Sequence, residues 1–125
     1  MASEVTEIAT VRIHDLCPRR ALITRDSARP IGRAVVEAIS GCGHRVALDF
    51  SGVDAVTPSF VDEVLIVLDE ALTEAERASL QLSFVNPPTR LSAKFAAVGR
   101  SHNLSIEEVG PREWLISRSA ARAAV

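Results

Sequence analysis

A short apolar run, Val46-Ala47-Leu48-Asp49-Phe50, leads through one tight connection into a long segment with apolar residues at helical spacing. This pairing constrains the fold more than any other feature of the chain. A nearly continuous apolar run of this length is expected of a central strand covered on both faces. The helix after it is predicted from Ser59 to Ala75, with Phe60, Val64, Val67, Leu68 and Ala71 on one face and Asp62, Glu63, Asp69 and Glu70 on the others.

The same alternation recurs on either side. Upstream, Val5 to Ile13 reads as a strand near a sheet edge, and Ala21-Leu22-Ile23 extends it or pairs with it. Asp26-Ser27 offers a helix cap with Pro30 in the first turn, Ile31, Val35 and Ile39 form one buried stripe, and Gly41 and Gly43 stop the helix. Downstream, Leu80 to Val85 reads as a strand ended by Asn86-Pro87-Pro88, and Leu91, Phe95 and Val98 line a third helix stopped by Gly99. Leu104-Ser105-Ile106 is expected as an edge strand, Pro111 as the start of a short helix through Trp114, Leu115 and Arg118, and 119–125 as a frayed tail. Repeated strand–helix alternation predicts an α/β domain in which helices lie against a sheet.

At 125 residues the chain holds one hydrophobic core and is read as a single domain, 1–125. A net charge of −2 gives no electrostatic argument for nucleic acid or anionic membrane, and four Phe, one Trp and no Tyr are too few for a base-stacking platform. The first residues lack an apolar signal core and no stretch approaches a membrane span, so a cytoplasmic location is expected. Cys17 and Cys42 stand apart, without a Cys-x-x-Cys pair, and are read as reduced thiols.

The candidate functional segment is Thr57-Pro58-Ser59-Phe60-Val61-Asp62-Glu63. A helix start gathers unpaired N–H groups and the positive end of the macrodipole, so a hydroxyl there sits where a phosphate is tolerated. The same residues also suit plain capping: Thr57 or Ser59 as the cap, Pro58 preset for the first turn, and Asp62 as an approximate capping-box partner. Asp62 and Glu63 are expected in the first turn, either complementing the dipole or engaging a basic groove on a partner.

Val-Ala-Leu-Asp-Phe-Ser-Gly-Val, followed by a hydroxyl-rich turn into an apolar helix, resembles the STAS domains of anti-sigma-factor antagonists in bacterial signalling. The Ser-Phe-x-Asp-Glu signature at Ser59–Glu63 is most similar to a little-characterised STAS-like branch, and Leu82-Ser83-Phe84-Val85-Asn86-Pro87-Pro88 resembles the later strand of the same domains. The resemblance implies a mixed sheet of four or five strands with helices packed mainly on one face. It implies a regulatory protein-binding module, not an enzyme, and one without a cofactor of its own. The implied partner is an ATPase-type serine kinase, an anti-sigma factor with the histidine-kinase-like fold, to which the ATP belongs.

By the same resemblance Ser59 is the candidate phosphoacceptor, and Thr57, Pro58, Ser59, Phe60, Asp62 and Glu63 form the partner-binding surface. Phosphorylation there would add charge and weaken docking. Phe60 departs from the antagonist pattern, which has a small residue at that place. Two alternatives stay open: a constitutive scaffold without a phospho-switch, and a small anion- or nucleotide-binding domain using Arg25 and Arg29. Arg25, Arg29 and Arg33 recur every four residues and suit one helix face, and the STAS-like branch tends to carry an arginine just before its first helix.

Asp49 closes a strand without the companion carboxylates that phospho-aspartate chemistry needs, and is read as a structural residue of the strand end. His14, His44 and His102 have no ligand spacing for a metal, and no catalytic serine elbow, phosphate loop or dinucleotide fingerprint is present.

Overall fold

Alternation along the strands sorts their side chains into an inward and an outward set, and this decides how the layers stack. The computed structural model describes residues 8–18, 21–22, 24–42 and 45–118. The elements in chain order are β1 (Ala9–Arg12), α1 (Ile13–Leu16), β2 (Ala21–Leu22), α2 (Arg25–Cys42), β3 (Arg45–Asp49), β4 (Ala55–Val56), α3 (Pro58–Ala71), α4 (Glu74–Ala78), β5 (Gln81–Val85), α5 (Ala93–Ser101), β6 (Leu104–Gly110) and β7 (Glu113–Arg118). A five-stranded mixed sheet has the order β1-β3-β5-β7-β6, parallel from β1 to β5 and antiparallel thereafter. A separate parallel pair joins β2 to β4.

Register places Val11, Leu48, Phe84 and Trp114 in one row across the sheet, with Val46, Leu82, Ile116 and Ile106 in the next. All eight are buried and share one core cluster with Ile31, Val35 and Ile39 of α2, Val64 and Leu68 of α3, and Phe95 of α5. Ring contacts run through this layer, Phe50 on Phe84 at 4.9 Å, Phe84 on Trp114 at 5.8 Å and Trp114 on Phe95 at 5.1 Å between centroids. The opposite rows carry small and polar residues such as Thr10, Ser83 and Glu107. Among the described residues β3 is therefore covered by helices on one face: Val46 and Leu48 point into the core, and Ala47 between them lies on the opposite face.

Several boundaries differ from the sequence expectations, each for a local reason. Within the described residues the first strand is only Ala9–Arg12, and Ile13 turns inward at the start of α1. β2 pairs with β4 and not with β1. Helix α2 opens two to three residues earlier than Asp26-Ser27 suggests: Thr24 Oγ1 accepts the Ser27 N–H at 3.2 Å, which makes Thr24 the cap and puts Pro30 inside the helix.

Helix α3 ends at Ala71, because Leu72 turns extended to bury its side chain and Thr73 opens α4 with a complete capping box to Glu76. Gly99 does not end α5 but lies inside it, where a Cβ would stand 2.7 Å from Ile106 Cγ1. The left-handed residue after α5 is Asn103, at φ 61. Pro111 begins a hairpin turn and no helix. Its fixed φ suits the second position of a turn as well as a first helical turn, and the period-two burial of Trp114 and Ile116 makes Glu113–Arg118 a strand. The tail 119–125, Arg19, Arg20 and His44 lie outside the described residues.

Candidate functional site

The parallel pair β2–β4 lines up the entrances of two helices. Each short strand runs into a threonine cap, Thr24 before α2 and Thr57 before α3. At the second entrance Thr57 is extended, its Oγ1 accepts the Phe60 N–H at 3.3 Å, and Pro58 occupies the first helical position. Ser59 is thereby left exposed at the second position, and among the described residues its hydroxyl has no hydrogen-bond partner. The cap is Thr57, and Ser59 is free of that duty.

Phe60 turns the other way and is fully buried in the core. It offers no surface to a partner, so it leaves the partner-binding set expected from sequence, and it does not obstruct approach to Ser59 either. Asp62 and Glu63 lie past the first turn, where they no longer meet the helix dipole. Glu63 is 9% exposed, so it too is withdrawn from any docking surface.

These carboxylates are engaged within the domain. Arg25 donates through Nη1 to Asp62 Oδ2 at 2.8 Å and to Glu63 Oε1 at 3.2 Å. One turn along α2, Arg29 pairs with Glu63 and, at 3.3 Å, with Glu70. These partners raise both guanidinium pKa values further, Asp62 chiefly for Arg25 and Glu63 chiefly for Arg29. The anion site expected at Arg25 and Arg29 is therefore filled by this protein's own carboxylates. The four-residue recurrence did identify the right helix face, but its counter-ions are on α3.

Sequence reasoning missed His102, which closes the network from the far side. Its Nε2 lies 2.8 Å from Asp62 Oδ1 and its Nδ1 2.5 Å from Asp69 Oδ2. The three residues are too far apart in sequence to form a motif. Burial pushes the Asp62 carboxyl up, but hydrogen bonds from His102 and then Arg25 outweigh it and hold the group below its ordinary value. Arg25, Ser59, Asp62, Ala97, Val98 and Ser101 line an open groove between the start of α3 and α5.

Asp49 stands at the end of β3 with one carboxylate oxygen accepting from the Ser51 N–H at 2.9 Å, the Ser51 hydroxyl at 2.8 Å and the Asn86 amide at 3.3 Å. This ties the loop after β3 to the end of β5, the structural role expected of it. Among the described residues no group of three or more His, Cys, Asp or Glu side chains is arranged to hold a metal ion.

Residues 28–86, from the first turn of α2 to the end of β5, match a family described as a STAS-like domain of unknown function. Over this stretch the chain is similar to the STAS-like domains. No curated protein and no solved structure matches it. The matched stretch contains Ser59 and its cap, whereas Arg25 and His102 lie on either side of it. The family's description assigns no function, and its STAS-like character points no further than a regulatory or binding module. No helix among the described residues is long and apolar enough to cross a membrane.

Proposed function

We propose that this STAS-like domain docks a protein partner through the start of α3 and the adjoining groove, and that phosphorylation of Ser59 releases it. The observation that carries the reading is the division of labour between Thr57 and Ser59: the first caps the helix, and the second presents an unengaged hydroxyl to solvent. A phosphate there would meet the first-turn N–H groups and share a groove with Arg25, so the domain tolerates the charge while its surface changes sign locally. Asp62 and Glu63 do not oppose this strongly, because Arg25 and Arg29 already pair with them.

By the resemblance of the Ser59 segment to anti-sigma-factor antagonists, the partner is an ATPase-type serine kinase with the histidine-kinase-like fold. The nucleotide and the catalysis reside in that partner, in the cytoplasm, and the present domain performs no chemistry. The surface that remains for docking is Pro58, Ser59 and the exposed parts of Thr57 and Asp62, together with Ala97 and Ser101 of α5.

The test is capture from native-host lysate with ATP and magnesium, using wild type, Ser59→Ala and Ser59→Asp as baits. The expected result is an ATPase-type kinase held by wild type and Ser59→Ala and absent from Ser59→Asp. Equal retention by all three would replace the switch with a constitutive scaffold.

A further inference from the structure

One imidazole is held between two carboxylates of a single helix. His102 follows the last residue of α5, where its backbone N–H donates to the Gly99 carbonyl at 2.9 Å. Its side chain is 9% exposed. Both ring nitrogens contact aspartates of α3, two turns apart on that helix, at 2.8 Å to Asp62 and 2.5 Å to Asp69. An ionised carboxylate only accepts hydrogen bonds, and a neutral imidazole has one N–H to donate. Two such contacts therefore call for both ring protons. With a neutral ring, a nitrogen lone pair would face a carboxylate oxygen at hydrogen-bond distance, which is repulsive.

We propose that His102 is a proton-operated latch joining the end of α5 to α3: protonated, it clamps Asp62 and Asp69 together, and on losing its proton it lets go of one of them and loosens the groove wall formed by α5. The groove wall concerned includes Ala97, Val98 and Ser101, opposite Ser59. The inference rests on the fold and not on the identity of any partner.

Other charges face the ring from each neighbouring element. Arg25 of α2 holds Asp62 from the opposite side, while Glu74 and Arg77 of α4 and Arg118 of β7 line a cleft next to the ring. On its own helix Arg100 is two residues away. Burial favours the neutral ring, but the hydrogen bonds to Asp62 and then Asp69 outweigh it, so the folded-state pKa is raised. A raised pKa means the latch contributes fully below the unfolded value of about 6.5 and is lost as pH rises through the folded value.

The test is an NMR pH titration of the histidine rings in the full chain, together with amide exchange along α5. One ring, absent from His102→Gln, is expected to titrate above the model-peptide value. Exchange at the groove wall, corrected for its intrinsic pH dependence, is expected to quicken over the same range. In His102→Gln, that exchange is expected to be fast throughout. A His102 ring titrating at or below the model-peptide value would overturn the proposal, and so would groove amides indifferent to its titration. Should His102→Gln fail to fold, Asp69→Asn serves instead. Removing one carboxylate must lower the His102 pKa, and an unchanged value would likewise overturn the latch.

Discussion

Gly32 of α2 faces Val67 of α3 so closely that a Cβ at position 32 would stand 2.8 Å from the Cβ of Val67. The absent side chain sets the spacing of the two helices, and that spacing lets Arg25 and Arg29 reach Asp62 and Glu63 across the seam. In an open helix, Gly→Ala would stabilise by about 1 kcal/mol. Here the clash involves the branch point of a valine, which has no freedom to swing aside. Gly32→Ala is expected to destabilise by about 1–3 kcal/mol in urea denaturation. Relief by an added Val67→Ala would locate the cause in this contact, and a more stable Gly32→Ala would show that the helices have room to part.

The split between Thr57 and Ser59 predicts unequal costs for two similar substitutions. Thr57→Ala removes the oxygen that accepts the Phe60 N–H and is expected to cost about 1 kcal/mol. Ser59→Ala removes an exposed hydroxyl with no described partner and should stay within about 0.5 kcal/mol of wild type. Chemical denaturation of the two variants side by side decides it, and a reversed order would make Ser59 the structural residue.

What the sequence made legible follows from periodicity. The apolar stripes of α2 and α3 and the alternating strand Gln81–Val85 are local patterns that form where their spacing demands, except that Ala71 at the end of α3 is exposed; in α5 Phe95 and Val98 fall on the helix, whereas Leu91 precedes it. The edge strand at Leu104–Ile106 was expected and is β6, but its partner β7 escaped because Pro111 is equally at home in a turn and in a first helical turn, and only pairing with β5 selects the strand. The two-stranded pair β2–β4 is too short to carry a period at all. At the site, Ser59, Asp62 and Arg25 stood out by residue type, but their roles depend on orientation. Phe60 and Ser59 are adjacent and point in opposite directions, one into the core and one to solvent. His102 had no local signal, since both of its partners come from another helix.

Asp49 should contribute to acid sensitivity. Burial raises its pKa, but the Ser51 N–H, the Ser51 hydroxyl, the Asn86 amide and the charge of Arg12 together bring it below its ordinary value. A lowered folded-state pKa means stability that is present above the unfolded value of about 3.9 and lost as pH falls through the folded one. Denaturation midpoints of wild type should thus drop between roughly pH 5 and pH 2, and Asp49→Asn should flatten part of that slope. Parallel slopes for the two proteins would mean that Asp49 titrates alike in the folded and unfolded states.

The phosphomimetic at position 59 is expected to fold as well as wild type or better. Ser59→Asp adds a negative charge at the second position of α3, where the helix dipole favours it by about 0.3–1 kcal/mol at low ionic strength. Asp62 would normally offset this, but it is already paired with Arg25 and His102. Thermal unfolding of Ser59→Asp should therefore give an equal or raised midpoint, with any gain shrinking as salt screens the exposed charge. The measurement bears directly on the docking test. With the fold intact, a partner lost from Ser59→Asp is lost because the surface changed, whereas a midpoint several degrees lower would reveal repulsion from Asp62 strong enough to disturb α3.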